Sequence, residues 1–209
     1  LSTKTVPASL QPYSRPEASM LKPPSAALRA AIRDIPDFPK PGIVFKDITP
    51  VLAEPALFAE SIDLFHRALQ GSRVDKIACI DARGFLFGAA LAYKMGVGII
   101  PVRKKGKLPY DATEVSYDLE YGSATLEMHV DAVATDEHVV VVDDLLATGG
   151  TAAATCHLIE KLGGRVTCLL FLVELAFLNG RALLNSREIY KPSLLRLLIP
   201  LQKNNITPP

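Results

Sequence analysis

Residues 139–142 are four consecutive valines. They run directly into two aspartates, Asp143 and Asp144, and then into Leu145-Leu146-Ala147-Thr148-Gly149-Gly150-Thr151. Four valines in a row suit a central parallel strand buried on both faces. Such a strand delivers two adjacent carboxylates to its C-terminal end, the edge at which open α/β sheets bind ligands. The small residues that follow let backbone N–H groups approach an anion closely. The start of the next helix favours negative charge, and the hydroxyls of Thr148 and Thr151 add donors. The segment reads as a phosphate cradle, although it is not a nucleotide P-loop, because G-x-x-x-x-G-K-[ST] is absent. The carboxylates would repel a phosphate lying beside them, so they suit neutral hydroxyls or a metal-bound group a short distance away. Phosphate at one end and hydroxyls at the other describe a ribose 5-phosphate. A strand-to-helix turn with merely solvated acids is the alternative, and two carboxylates behind four valines count against it.

The elements that must position this segment are legible as alternating strands and helices. A helix is expected over about residues 151–162, stopped by Gly163-Gly164, then a buried strand over 166–173, cut by Glu174. Earlier, residues 76–80 read as a buried strand leading into Asp81-Ala82-Arg83-Gly84 and a helix to about Met95, and residues 97–102 as another strand. This order argues an α/β fold, a central parallel sheet flanked by helices. One segment breaks the pattern. Val115, Tyr117, Leu119 and Tyr121 alternate with Ser116, Asp118 and Glu120; Leu126, Met128 and Val130 alternate with Glu127 and His129. Gly122-Ser123 between them predicts an antiparallel hairpin. In front of it, Arg103-Lys104-Lys105-Gly106-Lys107-Leu108-Pro109 is a mobile loop by composition. Ser25 is a good N-cap for a short helix through about Asp34. The proline-rich stretch 35–42 that follows cannot be regular helix. A helix over 55–69 presents Phe58, Ile62, Phe65 and Leu69 as one apolar stripe.

Composition bounds the rest. The chain has 209 residues, 49% hydrophobic and 22% charged, with a formal net charge of +1. These values fit one ordinary domain, with or without an extension, and exclude collagen-like, coiled-coil and wholly disordered chains. Non-specific nucleic-acid binding needs many uncompensated cations, so no nucleic-acid partner is expected. Cys79, Cys156 and Cys168 are an odd set without paired spacing, which is not a disulfide framework and suits a reducing cytoplasm. No apolar stretch reaches about 18–20 residues, so no membrane span is expected. Residues 1–24 are rich in Ser, Thr and Pro with one acid, Glu17, and read as a disordered extension. A transit peptide is the less plain alternative. The ordered domain is expected over 25–198, with a disordered tail over 199–209.

The segment 139–151 resembles the phosphoribosyl pyrophosphate (PRPP) binding motif of the type I phosphoribosyltransferases. Four further segments, in order, resemble motifs of the adenine-specific members of that family. They are Phe38-Pro39-Lys40-Pro41-Gly42-Ile43-Val44-Phe45-Lys46-Asp47-Ile48-Thr49, Ala82-Arg83-Gly84-Phe85-Leu86-Phe87-Gly88, the basic segment 103–109, and Tyr117-Asp118-Leu119-Glu120-Tyr121-Gly122. The resemblance spans about residues 28–184. It implies the type I phosphoribosyltransferase fold, with a small N-terminal hood and a flexible loop beside the hairpin. It also implies purine salvage, in which adenine and PRPP give AMP and pyrophosphate.

The same resemblance implies residue roles. Asp143 and Asp144 would hold the ribose hydroxyls, and Ala147, Thr148, Gly149, Gly150 and Thr151 the 5-phosphate. Arg83 would meet the pyrophosphate in fork geometry, in a turn with a cis bond at Asp81–Ala82; a surface salt bridge is the alternative. Lys104 and Lys107 would neutralise the departing pyrophosphate, and catalytic Arg103 would reach a neighbouring subunit's site; a solvated basic loop is the alternative. Glu120 would share a proton with purine N7 or N9, unless it is a hairpin acid paired with a loop lysine. Phe45 would stack on adenine, with backbone near Val44 reading the 6-amino group; Phe45 as plain core is the alternative. Mg²⁺ would be held mainly by PRPP, and a homodimer is implied. Two rival functions remain open at this point: a relative acting on an oxopurine, and a PRPP-sensing regulator without turnover. The chain departs from the family from about Asn185, where residues 190–198 would supply an altered edge strand.

Overall fold

The computed structural model describes residues 23–118, 123–186 and 195–201. Expectations placed on residues 1–22, 119–122 (with Glu120), 187–194 and 202–209 lie outside the described residues. The chain opens with α1 (Ala26–Ala30), β1 (Arg33–Pro36), β2 (Val44–Asp47), α2 (Thr49–Ala53) and α3 (Pro55–Ala68). Next come β3 (Lys76–Ile80), α4 (Gly84–Met95), β4 (Gly98–Lys104), β5 (Ala112–Asp118) and β6 (Ser123–His129). The chain continues with β7 (His138–Leu146), α5 (Gly150–Lys161), β8 (Arg165–Leu175), α6 (Gly180–Ser186) and β9 (Leu195–Leu201).

Seven strands form one sheet in the order β5-β6-β4-β3-β7-β8-β9. Its β4-β3-β7-β8-β9 portion is parallel throughout, and the β5–β6 hairpin joins antiparallel through β6. The valine run explains why β7 lies at the centre. Val140 and Val142 join the apolar layer of Phe65, Phe87 and Leu91, while Val139 and Val141 join the opposite layer of Met128, Leu158 and Ile159. All four valines are fully buried, each contributing about 1.5–3 kcal/mol relative to exposure. Helices therefore cover both faces, and the predicted stripe of α3 points inward through Ile62 and Phe65, with Leu69 buried at its C-cap. Among the described residues, no helix is long and apolar enough to cross a membrane.

Three expectations need correction. The helix after Ser25 stops at Ala30, and residues 33–36 instead form β1, paired antiparallel with β2. Cross-strand ion pairs, Arg33 with Asp47 and Asp34 with Lys46, outweigh local helix preference there. The basic segment does not begin as a loop: Arg103 and Lys104 are the last residues of β4, in register with Glu127 and Leu126. The edge strand β9 runs to Leu201, with Ile199 fully buried, past the expected boundary at 198.

Candidate active site

The cradle forms where β7 gives way to α5. Gly149 sits at the N-cap of α5 with φ +88°, and a Cβ there would lie 2.8 Å from the Gly180 carbonyl oxygen. Only glycine meets both demands. No side chain caps this end of α5, which leaves its first-turn N–H groups for an anion. Asp143, Ala147, Thr148, Gly149 and Thr151 line a concavity with about 310 Å³ of space, part of it open solvent, and Leu146 and Phe171 add an apolar side.

A second glycine braces the loop. A Cβ on Gly180 would sit 2.2 Å from the Ala147 carbonyl oxygen and 3.2 Å from the Gly149 nitrogen. The next residue, Arg181, donates to both carboxylate oxygens of Glu174 at 2.6 and 2.7 Å. Glu174 is buried and, through its hydrogen bonds and charge, raises the Arg181 pKa above the ordinary guanidinium value. Gly180→Ala must therefore displace the backbone at Ala147 and Gly149. We expect it to raise the KM for a phosphate-bearing substrate about 10- to 100-fold, in line with the cost of small misplacements at a reacting site. Steady-state kinetics reads this directly, and an unchanged KM would mean that the loop yields without loss.

The two acids differ. Asp144 is buried, Asp143 half-buried, and the Asp144 N–H donates to Asp143 Oδ1 at 2.8 Å. Burial pushes both carboxyls above the ordinary range, with the Asp144 charge pushing Asp143 further up and Arg83 partly restraining Asp144. Arg83 Nε lies 3.0 Å from Asp144 Oδ2, an oxygen that lacks a well-aligned hydrogen bond among the described residues. The Arg83 guanidinium also lies over the Phe45 ring, 5.2 Å from its centroid. Phe38 meets Phe45 edge-on at 5.2 Å. Arg83 thus ties the acids to the hood strand β2, which carries Val44 and Phe45. Lys46, beside them, is buried against Asp34.

The turn after β3 contains a cis peptide at Asp81–Ala82, as the resemblance implied. Arg103 Nε pairs with Asp81 Oδ2 at 3.0 Å and Nη1 donates to the Lys107 carbonyl at 3.1 Å. The segment expected to be mobile is anchored at its base by Glu127. This carboxylate accepts from the N–H groups of Gly106, Lys107 and Leu108 at 3.0, 2.8 and 2.7 Å. Burial raises the Glu127 carboxyl, and the three N–H donors outweigh it, so the pKa falls below the usual value. Lys104 and Lys107 are exposed.

The structure therefore gathers Asp143, Asp144, the 147–151 loop, Arg83 and Phe45 around the carboxyl ends of β3 and β7, with Val44 on the same hood strand and Arg103 at the end of β4, paired with Asp81. Sequence reading missed Gly180, Glu174–Arg181, Glu127 and the contact of Tyr117 with Thr151. An acid interrupting an apolar strand was the available signal for Glu174. Gly180 and Tyr117 gave none, because their partners are distant in sequence.

Comparison with known proteins agrees with this geometry. Residues 48–181 match the phosphoribosyl transferase domain family. The chain is 56% identical over 158 residues to the adenine phosphoribosyltransferase of Maridesulfovibrio salexigens, covering 76% of this chain and 93% of that protein. The crystal structure of the adenine phosphoribosyltransferase from Thermoanaerobacter pseudethanolicus superposes with a TM-score of 0.78 at 51% identity, covering 84% of this chain and 98% of that one. The Saccharomyces cerevisiae enzyme, solved with an imino-altritol bisphosphate and adenine, gives a TM-score of 0.72 at 41% identity over 75% of this chain and 91% of that one. A domain match over most of the chain and identities above one half, on a site that joins the 147–151 loop to an aromatic hood, show that this chain belongs to the adenine phosphoribosyltransferase family.

Proposed function

We propose that the chain transfers the 5-phosphoribosyl group of PRPP to adenine, giving AMP and pyrophosphate. The observation that carries this reading is the concavity lined by Asp143 together with Ala147, Thr148, Gly149 and Thr151, joined through the Asp144–Arg83 pair to the Phe45 ring. The 5-phosphate takes the N–H groups and hydroxyls of residues 147–151, and the ribose hydroxyls take Asp143 and Asp144. Phe45 stacks on adenine, and backbone at Val44 reads its 6-amino group. Adenine N9 attacks C1 of the ribose as the C1–O bond to pyrophosphate breaks, and pyrophosphate leaves with the electron pair. Glu120 shares the proton of the purine as the bond at N9 forms. Arg83, Arg103, Lys104 and Lys107 stabilise the charge on the departing pyrophosphate. Positioning and charge stabilisation supply the catalysis without a covalent intermediate.

Magnesium enters with PRPP as part of the substrate. Among the described residues, no group of three or more His, Cys, Asp or Glu could cage an ion, while the Asp143–Asp144 pair suits the hydroxyls of a metal-bound ribose. The ion supplies further neutralisation of the pyrophosphate. The reading includes a homodimer, supported by the exposed stripe Leu86, Ala89 and Tyr93 on α4, with Tyr93 92% exposed. Residues at i, i+3 and i+7 share one helix face, and an apolar face of this kind suits a partner copy. It also includes a cytoplasmic location, which suits the three buried cysteines Cys79, Cys156 and Cys168.

The test offers PRPP, Mg²⁺ and each purine base separately and follows nucleotide formation. Turnover is expected with adenine, dependent on Mg²⁺, and Glu120→Ala should lower kcat about 10²- to 10⁴-fold. Turnover with an oxopurine in preference to adenine would overturn the base assignment. Absence of turnover with every base would overturn the activity itself.

A further inference from the structure

The Tyr117 hydroxyl lies 3.0 Å from Thr151 Oγ1, and either oxygen could donate. This contact joins the hairpin strand β5 to the first turn of α5, where the cradle lies. At the other end of the helix, Lys161 Nζ donates to the Glu114 carbonyl at 3.4 Å. The two links pair the start of α5 with the end of β5 and the end of α5 with its middle, so the strand runs antiparallel along the helix. Tyr117 and Val115 pack against the apolar layer around α5, which holds the phenol ring in place.

A phosphate in the cradle would fix the direction of this hydrogen bond. A hydroxyl has one hydrogen to donate and lone pairs to accept with, while an ionised phosphate only accepts. If Thr151 gives its hydrogen to the phosphate, its oxygen must receive the hydrogen of Tyr117. Each bond in such a chain polarises the next. We propose that Tyr117 is a positioning residue for the 5-phosphate: its hydroxyl donates to Thr151 and holds the Thr151 hydrogen toward the phosphate. The inference rests on the reading of residues 147–151 as the 5-phosphate loop.

The experiment compares wild type with Tyr117→Phe, Thr151→Val, Thr151→Ser and the combinations with Tyr117→Phe. It measures the KM for PRPP, kcat, and calorimetric Kd values for AMP and for adenosine, which share base and ribose and differ in the phosphate. Tyr117→Phe keeps the half-buried ring and removes only the donor. It should weaken AMP and raise the KM for PRPP about 5- to 10-fold, the scale of a hydrogen bond between neutral groups. Adenosine affinity should stay within about twofold. The effect should vanish in the Thr151→Val background and persist in Thr151→Ser, which keeps the hydroxyl. Equal losses for AMP and adenosine, or effects that add with Thr151→Val, would reduce Tyr117 to packing and overturn the inference. If wild type bound AMP no better than adenosine, the phosphate reading would fail and the inference with it. If wild type discriminated and Tyr117→Phe did so equally, the inference alone would fail.

Discussion

Arg83→Ala will lose both turnover and fold stability, and the stability deficit will grow with pH. The Asp144 side chain is 5% exposed, and its ion pair to Arg83 is the largest of the interactions that restrain its raised pKa. Removing one partner of a buried pair leaves the other charge uncompensated, at about 3–5 kcal/mol when both are buried. The Arg83 side chain is 37% exposed, so solvent screening reduces the expected loss to about 1–3 kcal/mol. Without Arg83 the Asp144 carboxyl moves further up. Over the window above the ordinary 3.8, the folded state then binds more protons than the unfolded state, and stability falls as pH rises. Melting temperatures measured from pH 4 to pH 8 should therefore show the variant nearest to wild type at the acid end. Turnover should fall about 10²- to 10³-fold, the scale of one lost donor to a developing charge. Arg83→Lys should recover part of the stability but little of the turnover, because lysine lacks the planar fork. A variant with a pH-independent deficit would disprove the electrostatic role.

Asp143→Asn will raise the melting temperature of the ligand-free protein while weakening its chemistry. Burial, and then the neighbouring Asp144 charge, push Asp143 well above its ordinary 3.8. The stability this group contributes is complete below 3.8 and is lost as pH rises through the folded value. Its charge therefore opposes folding at neutral pH, and asparagine removes that opposition while keeping an oxygen to accept from the Asp144 N–H. The expected gain is about 2–4 °C, the shift that about 1 kcal/mol produces in a chain of this length. The gain should disappear on acidification toward 3.8. Carboxylates held below their usual range, Asp47, Asp75, Glu127 and Glu137, weaken both proteins there alike. The difference between variant and wild type is thus the quantity to follow. On the role proposed for Asp143, a ribose hydroxyl loses its charged acceptor and kcat/KM should drop about 10- to 100-fold. An asparagine variant that melts below wild type at neutral pH would show that the acid is structural.

The two predictions describe one feature, a site whose charges are held against their own preference so that they can meet a ligand. Arg83 relieves Asp144 and covers Phe45 at the same time. Binding of pyrophosphate by Arg83 would therefore alter both the ribose side and the purine side of the pocket.

The sequence by itself determined the cradle, because its signal is local. Four valines, two acids and a run of small residues specify a buried strand, its carboxylates and a helix start within 13 consecutive positions, 139–151. It determined the alternation of strands and helices and the hairpin for the same reason, since periods of 2 and 3.6 are read over a few residues. What it left undecided depends on partners far apart in the chain. Helix or strand at Arg33 and Asp34 was settled by Asp47 and Lys46 across the hood. A basic segment that composition reads as mobile is anchored because Glu127, on another strand, accepts three of its N–H groups. The space behind the 147–151 loop is set by the Gly180 backbone, and Thr151 meets Tyr117 from the hairpin. Hydrogen bonds and close backbone approaches carry no periodic trace, so only the tertiary structure could decide them.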